Sequence, residues 1–200
     1  MAHIDYYFSL ISPFTYLAGT RLEEIAAKHG ATVSYKPLDI MALFQRTGGT
    51  PVGERHPSRL EYRAQDLERA AKKSGKRFNL RPAHWPTNAA PASYAVIAAQ
   101  SAGGGDLGAL AHGLLRACWA EEKNIAEDEV IRACLTDAGF EASLADSGLL
   151  SGAETYAANL EDAVNAGAFG SPFYIATDSD QRFWGHDRLD DLDAHLADRL

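Results

Sequence analysis

Strand-like sequence is confined to the two ends of this chain. Ile4 to Phe8 (IDYYF) is short, aromatic and β-branched, and Thr32 to Tyr35 (TVSY) repeats that character before Lys36-Pro37 closes it. Between them, Ser12-Pro13 is a helix start: Ser suits the N-cap, and Pro at the first helical position loses no needed N–H. Phe14, Leu17, Ala18, Leu22 and Ile25 share one helical face, and Gly30 ends the helix. The spacing predicts one long helix and, with its flanking strands, a parallel βαβ unit.

The middle reads as helix and loop. Helices are expected over Ile40 to Arg46, Ser58 to Gly75, Ala92 to Ala102, Leu107 to Glu121, Glu127 to Ala138 and Glu154 to Ala166. Glu127, Asp128 and Glu154 place acid in expected first turns, which suits the helix dipole. TGGTPVGERHP and PAHWPTN (Pro82 to Asn88) are loops by their Gly and Pro content. Strands return only in Phe173 to Thr177 (FYIAT) and Arg182 to Trp184 (RFW), a hairpin through DSDQ. A Leu189, Leu192, Leu196, Leu200 stripe then predicts a last helix. One sheet must therefore be assembled from both ends of the chain, with the helices inserted.

Lys and Arg number 19 against 27 Asp and Glu, a net charge of −8. That disfavours a nucleic-acid partner, whose phosphates need clustered cations. No apolar run approaches the ~20 residues of a membrane span, so no membrane association is expected. MAHIDYYFSL lacks a basic, then apolar, leader pattern, and Cys118 and Cys134 read as reduced, buried thiols; both point to the cytoplasm. Seven scattered histidines show no HxxxH or HExxH spacing, so no metal site is expected. The charge is uneven: from Arg55 to Arg81 nine cations face three acids, a local +6 against −14 elsewhere. Such a window is either a solvated helix face or a place where one or two cations meet a small anion.

Three positions carry candidate chemistry. Ser12 is a helix cap, or else a hydrogen-bond donor to a ligand's sulfur at a helix N-terminus. Ser171-Pro172 is an ordinary trans Pro opening a strand, or a cis bond that offers the Ser171 N–H and C=O to an extended ligand. Asp187 is an N-cap with Asp190 at N3, or a group that binds a free amine.

The order βαβ, helical insertion, ββα resembles the thioredoxin-like fold of DsbA-type proteins, with Ser12-Pro13-Phe14-Thr15 where those carry CxxC. YYFSLISPFTYLA, YRAQDLERAAKKSG, PAHWPTN and GAFGSPFYIATDSDQRFWGHDRLDDL together resemble the 2-hydroxychromene-2-carboxylate isomerase family, close to kappa-class glutathione transferases. The resemblance implies an α/β fold, with a mixed four-stranded sheet and a large all-helical insertion. It implies a thioredoxin-like domain from residues 1–38 and 158–200 and a helical domain over 39–157.

It also implies glutathione as cofactor, with Ser12 bonding its thiolate beside Pro13 and Phe14. Ser171, before Pro172, would meet the tripeptide backbone. Asp187 and Arg188 would hold the γ-glutamyl end, and Arg59 a carboxylate. Trp85, Pro86 and Asn88 would flank the second substrate, as would Gly49, which stands where the family often has Asn. The expected reaction is glutathione-dependent cis–trans isomerisation of a small anionic aromatic substrate, by a homodimer. The alternatives are a glutathione transferase or peroxidase, and a non-catalytic thioredoxin-like binding module. Missing CxxC argues against disulfide exchange.

Overall fold

The computed structural model describes residues 2–200. Strand β1 (His3–Phe8) leads to helices α1 (Pro13–Ala18) and α2 (Arg21–His29) and strand β2 (Thr32–Pro37). Helix α3 (Ile40–Thr47), a 3-10 turn at Val52–Glu54 and helix α4 (Pro57–Ser74) follow. Five helices come next: α5 (Ala90–Ala102), α6 (Leu107–Trp119), α7 (Asp128–Asp137), α8 (Leu144–Ser147) and α9 (Leu149–Asn165). Strands β3 (Phe173–Ala176) and β4 (Gln181–Trp184), a 3-10 turn at His186–Arg188 and α10 (Leu189–Leu196) complete the chain.

The sheet runs β2-β1-β3-β4. β1 pairs parallel with β2 and antiparallel with β3, and β3 pairs antiparallel with β4. The single sheet built from both chain ends, expected from the strand distribution, is present. The two-residue period of a strand divides its side chains between two cores. Ile4, Tyr6, Phe8, Tyr174 and Ala176 face the larger core with α5 and α6. Tyr7, Phe173 and Ile175 face a smaller one with Leu43 and Ala163. Lys36 ties α9 to the sheet, its Nζ 2.8 Å from Asp5 and 2.6 Å from Asp162.

Several local expectations are corrected. The first helix is two. Gly19 stops α1 at φ 64°, ψ −150°, and its missing side chain admits Lys76, whose Cε would lie 2.8 Å from a Cβ there. α9 starts at Leu149, so Glu154 lies beyond its first turn, and α8 has no counterpart in the sequence reading. α4 begins at Pro57, capped by the His56 side chain, which accepts from the Ser58 N–H. α10 ends at Leu196 rather than continuing to Leu200.

Candidate active site

Ser12 caps α1, its Oγ accepting from the Thr15 N–H at 3.3 Å. The same hydroxyl donates to the Ser171 carbonyl at 3.2 Å. Ser171-Pro172 is cis. The Ser171 side chain turns inward, accepting from the Ser9 N–H at 2.8 Å and meeting Thr15 Oγ1 at 2.9 Å. Three hydroxyls thus bind the first turn of α1 to the segment that opens β3. The expected exposed Ser171 C=O is therefore already engaged, by Ser12.

These residues floor a cavity of about 890 Å³, within the range of small-molecule sites. Ile11, Ser12, Pro13, Phe14, Gly170 and Ser171 form the floor. Ser58, Arg59, Tyr62, Arg63 and Asp66 of α4 make one wall. Ile40, Met41 and Phe44 of α3, with Pro51, Val52, Gly53 and Arg55, make another. Trp184 to Arg188 close a third side, and Trp85-Pro86, a second cis peptide, the fourth. Trp85 is anchored there, its Nε1 donating to the Ile11 carbonyl at 3.1 Å.

Most of the expected site residues meet here: Ser12, Pro13, Phe14, Arg59, Trp85, Pro86, Ser171, Asp187 and Arg188. Three do not line the cavity. Pro172 lies behind Ser171. Asn88 lies two residues before α5, its Oδ1 accepting from the Ala90 N–H at 3.1 Å. Gly49 packs on α3: a Cβ there would stand 2.3 Å from Phe44 Cδ1, so the family's Asn does not fit this loop as folded. Nor does Asp187 cap α10. It lies inside the preceding 3-10 turn, and the residue at the N-cap position, Arg188, makes no side-chain cap.

The cavity also holds residues that the sequence reading missed. Phe14 carries the His186 ring stacked at 5.1 Å and the Arg63 guanidinium 5.8 Å from its centroid. Arg55 lies 5.8 Å from the Phe44 centroid, with its Nε donating to the Thr50 carbonyl at 2.9 Å. Arg59 and Arg63 stand four residues apart on α4, a spacing that could have flagged a cationic wall there, whereas Arg55 precedes that helix and stands on the α3 wall. Among the described residues none of the three forms an ion pair, whereas Asp66 pairs with Arg69 and Asp187 with Arg188. Burial and then the Arg55 charge hold the Arg63 pKa below its ordinary value. Burial and then Arg59 do the same to Arg55. Burial lowers the His186 pKa below 6.5, outweighing Asp187, so the ring is neutral at pH 7.

In α1, Pro13 has no N–H, Thr15 N–H is taken by Ser12 Oγ, and Tyr16 N–H by the Ser12 carbonyl at 3.2 Å. The Phe14 N–H has no acceptor among the described residues. One hydroxyl, one free N–H and a row of unpaired guanidiniums therefore surround an apolar cavity. Such a surface can hold an anion with an aromatic body.

A DSBA-like thioredoxin domain matches residues 3–197. The chain belongs to the DSBA-like thioredoxin-domain family. It is similar to the 2-hydroxychromene-2-carboxylate isomerase of Sphingobium xenophagum, with 29% identity over 198 residues and 98% of each chain covered. The enzyme of that name from Pseudomonas putida is 29% identical over 199 residues, covering 97% of this chain and 94% of its own. Among solved structures, a 2-hydroxychromene-2-carboxylate isomerase superposes with a TM-score of 0.78 at 24% identity, covering 98% of this chain and 94% of that one. The cytosolic disulfide reductase DsbM of Pseudomonas aeruginosa with GSH superposes with a TM-score of 0.72 at 23% identity and 98% coverage of both. Within this DSBA-like fold, Cys118 and Cys134 are buried and lie outside the cavity lining. Burial, then Glu122, pushes the Cys118 thiol up to about 12.

Proposed function

We propose that this chain is a glutathione-dependent isomerase acting on 2-hydroxychromene-2-carboxylate, giving trans-o-hydroxybenzylidenepyruvate. The observation that carries the reading is that Ser12, rather than a cysteine, heads α1 and opens on the cavity. A hydroxyl there can bond a thiolate but cannot form a disulfide. Two near-full-length relatives with the isomerase name agree with it.

The cavity chemistry fits glutathione. Its volume accommodates a tripeptide beside a small aromatic, and the unpaired Arg59 at its rim suits a carboxylate. The Asp187 carboxylate suits the α-amine and Arg188 the α-carboxylate beside it. The substrate's hemiketal C–O bond opens to a ketone and a phenol, its hydroxyl proton passing to the phenol oxygen, and bound glutathione would supply a thiolate that adds to the double bond, lets the resulting single bond rotate, and leaves again unconsumed. Ser12 would move its one proton from the Ser171 carbonyl to the sulfur, and the Phe14 N–H adds a second donor. Trp85 and Trp184 line the cavity and add aromatic surface on which a substrate ring can pack. Arg55 remains available for the substrate's carboxylate. The same reading expects a cytoplasmic homodimer.

Calorimetry with glutathione, then an ultraviolet assay of chromene isomerisation, tests this. Specific binding and turnover without glutathione consumption are expected. Consumption of glutathione would turn the assignment to a transferase, and no binding at millimolar glutathione to a non-catalytic module.

A further inference from the structure

We propose that Arg63, rather than the dipole of α1, supplies most of the positive field that keeps a bound cysteinyl thiol ionised in this cavity. The inference rests on the glutathione reading and assigns a thiolate-holding role to a residue outside the Ser12 turn.

The helix itself is a weak source of field. α1 has six residues and ends at Gly19, and Pro13 at its first position contributes no N–H. Ser12 has a single proton, which is shared with the Ser171 carbonyl. Arg63 is a full charge, 5.8 Å from the centroid of the Phe14 ring of that helix. Its guanidinium lies against Phe14, two residues from Ser12, and both residues line the cavity.

The surroundings leave that charge uncompensated. Arg55 and Arg59 repeat its sign. Asp66, one turn along α4, pairs with Arg69. From the opposite side, His186 stacks on Phe14 without charge at neutral pH, and Asp187 pairs with Arg188. A half-buried guanidinium with no carboxylate partner is relieved by an anion, and the cavity floor at Ser12 is where the thiol would sit. The other two cations serve different places: Arg55 is carried over Phe44 on the α3 wall, and Arg59 is exposed at the rim. The proton released from sulfur goes to solvent, and no oxidant or further reactant is needed.

The test is the pKa of bound glutathione, read from thiolate ultraviolet absorbance, for the wild type, Arg63→Gln and Arg63→Lys. Glutathione affinity is measured in parallel by calorimetry at a pH where the thiol stays protonated. The wild type should hold the thiol pKa below that of free glutathione. Arg63→Gln should raise it by about one unit or more, as expected for losing an opposite charge nearby, and Arg63→Lys should restore most of the shift. Affinity for the protonated thiol should stay within about twofold of wild type, since one pKa unit is a tenfold change that belongs to the thiolate alone.

An unchanged pKa in Arg63→Gln with glutathione bound overturns the inference and leaves the glutathione reading standing. Equal loss of affinity for the protonated thiol overturns it too, because Arg63 would then be a structural or carboxylate contact. If Arg63→Gln does not fold, a wild-type bound-thiol pKa no lower than the free value still overturns it. No glutathione binding by the wild type removes both readings.

Discussion

The Ser12 hydroxyl donates to the Ser171 carbonyl at 3.2 Å, so the cap of α1 and the residue before the cis peptide share one proton. Ligand binding at this point is therefore an exchange of hydrogen bonds rather than the addition of one, which keeps its net energy small. Ser12→Ala should cost about 1 kcal/mol of stability as a lost cap. The variant should still bind glutathione, with a raised thiol pKa and turnover lower by roughly tenfold, the scale of a lost charge-assisted bond. Melting curves, thiolate titration and the isomerase assay read the three effects. Unchanged thiol pKa and turnover would remove Ser12 from the chemistry.

Ser171→Ala tests the other half of that contact. Its Oγ serves the Ser9 N–H and Thr15 Oγ1, so its loss leaves a partly buried N–H without an acceptor. A destabilisation of about 1–3 kcal/mol is expected, visible in urea denaturation. Because Ser12 bonds the Ser171 main chain, the thiol pKa of bound glutathione should move less than in Ser12→Ala.

Gly49→Asn would restore the residue that the isomerase family often has in this loop. The expected result is loss, not gain. The new Cβ meets Phe44 at 2.3 Å, and even the Phe44 Cβ is only 3.0 Å away. The ring that carries Arg55 must therefore move, at a cost of about 1–3 kcal/mol. A lowered melting temperature checks this; a neutral or stabilised variant would show that the loop repacks freely.

His186 should make the fold acid-sensitive. Its folded pKa lies below 6.5 because the ring is buried, so on acidification the unfolded chain takes up the proton first. This group's contribution is complete above pH 6.5, is lost as pH falls from there through the depressed folded value, and is constant below it. His186→Phe keeps a ring against Phe14 and should flatten that part of the stability–pH curve. An identical slope in the variant would assign the acid sensitivity elsewhere.

Periodicity and local chemistry made much of the protein legible. Short aromatic and β-branched strands at the two ends, the Ser12-Pro13 start and the hairpin into Trp184 were enough for one sheet built from both ends with inserted helices, because each is set by neighbours in the chain. Breaks were harder to see. Gly19 reads as one more helical residue until Lys76 arrives beside it, and α9 gains its first turn from packing rather than from a cap.

The site divides along the same line. Ser12, Ser171 and Asp187 were visible because each sits at a junction of local structure. Arg63 and His186 were not, since a cation on a charged helix and a histidine in a turn look like ordinary surface residues. Their role depends on Phe14, which gathers both from segments far apart in the chain. Local patterns suffice for the fold class and for the missing CxxC pair at the head of α1. Which charges go unpaired is set by packing across the fold, because pairing and burial depend on residues that no local pattern connects.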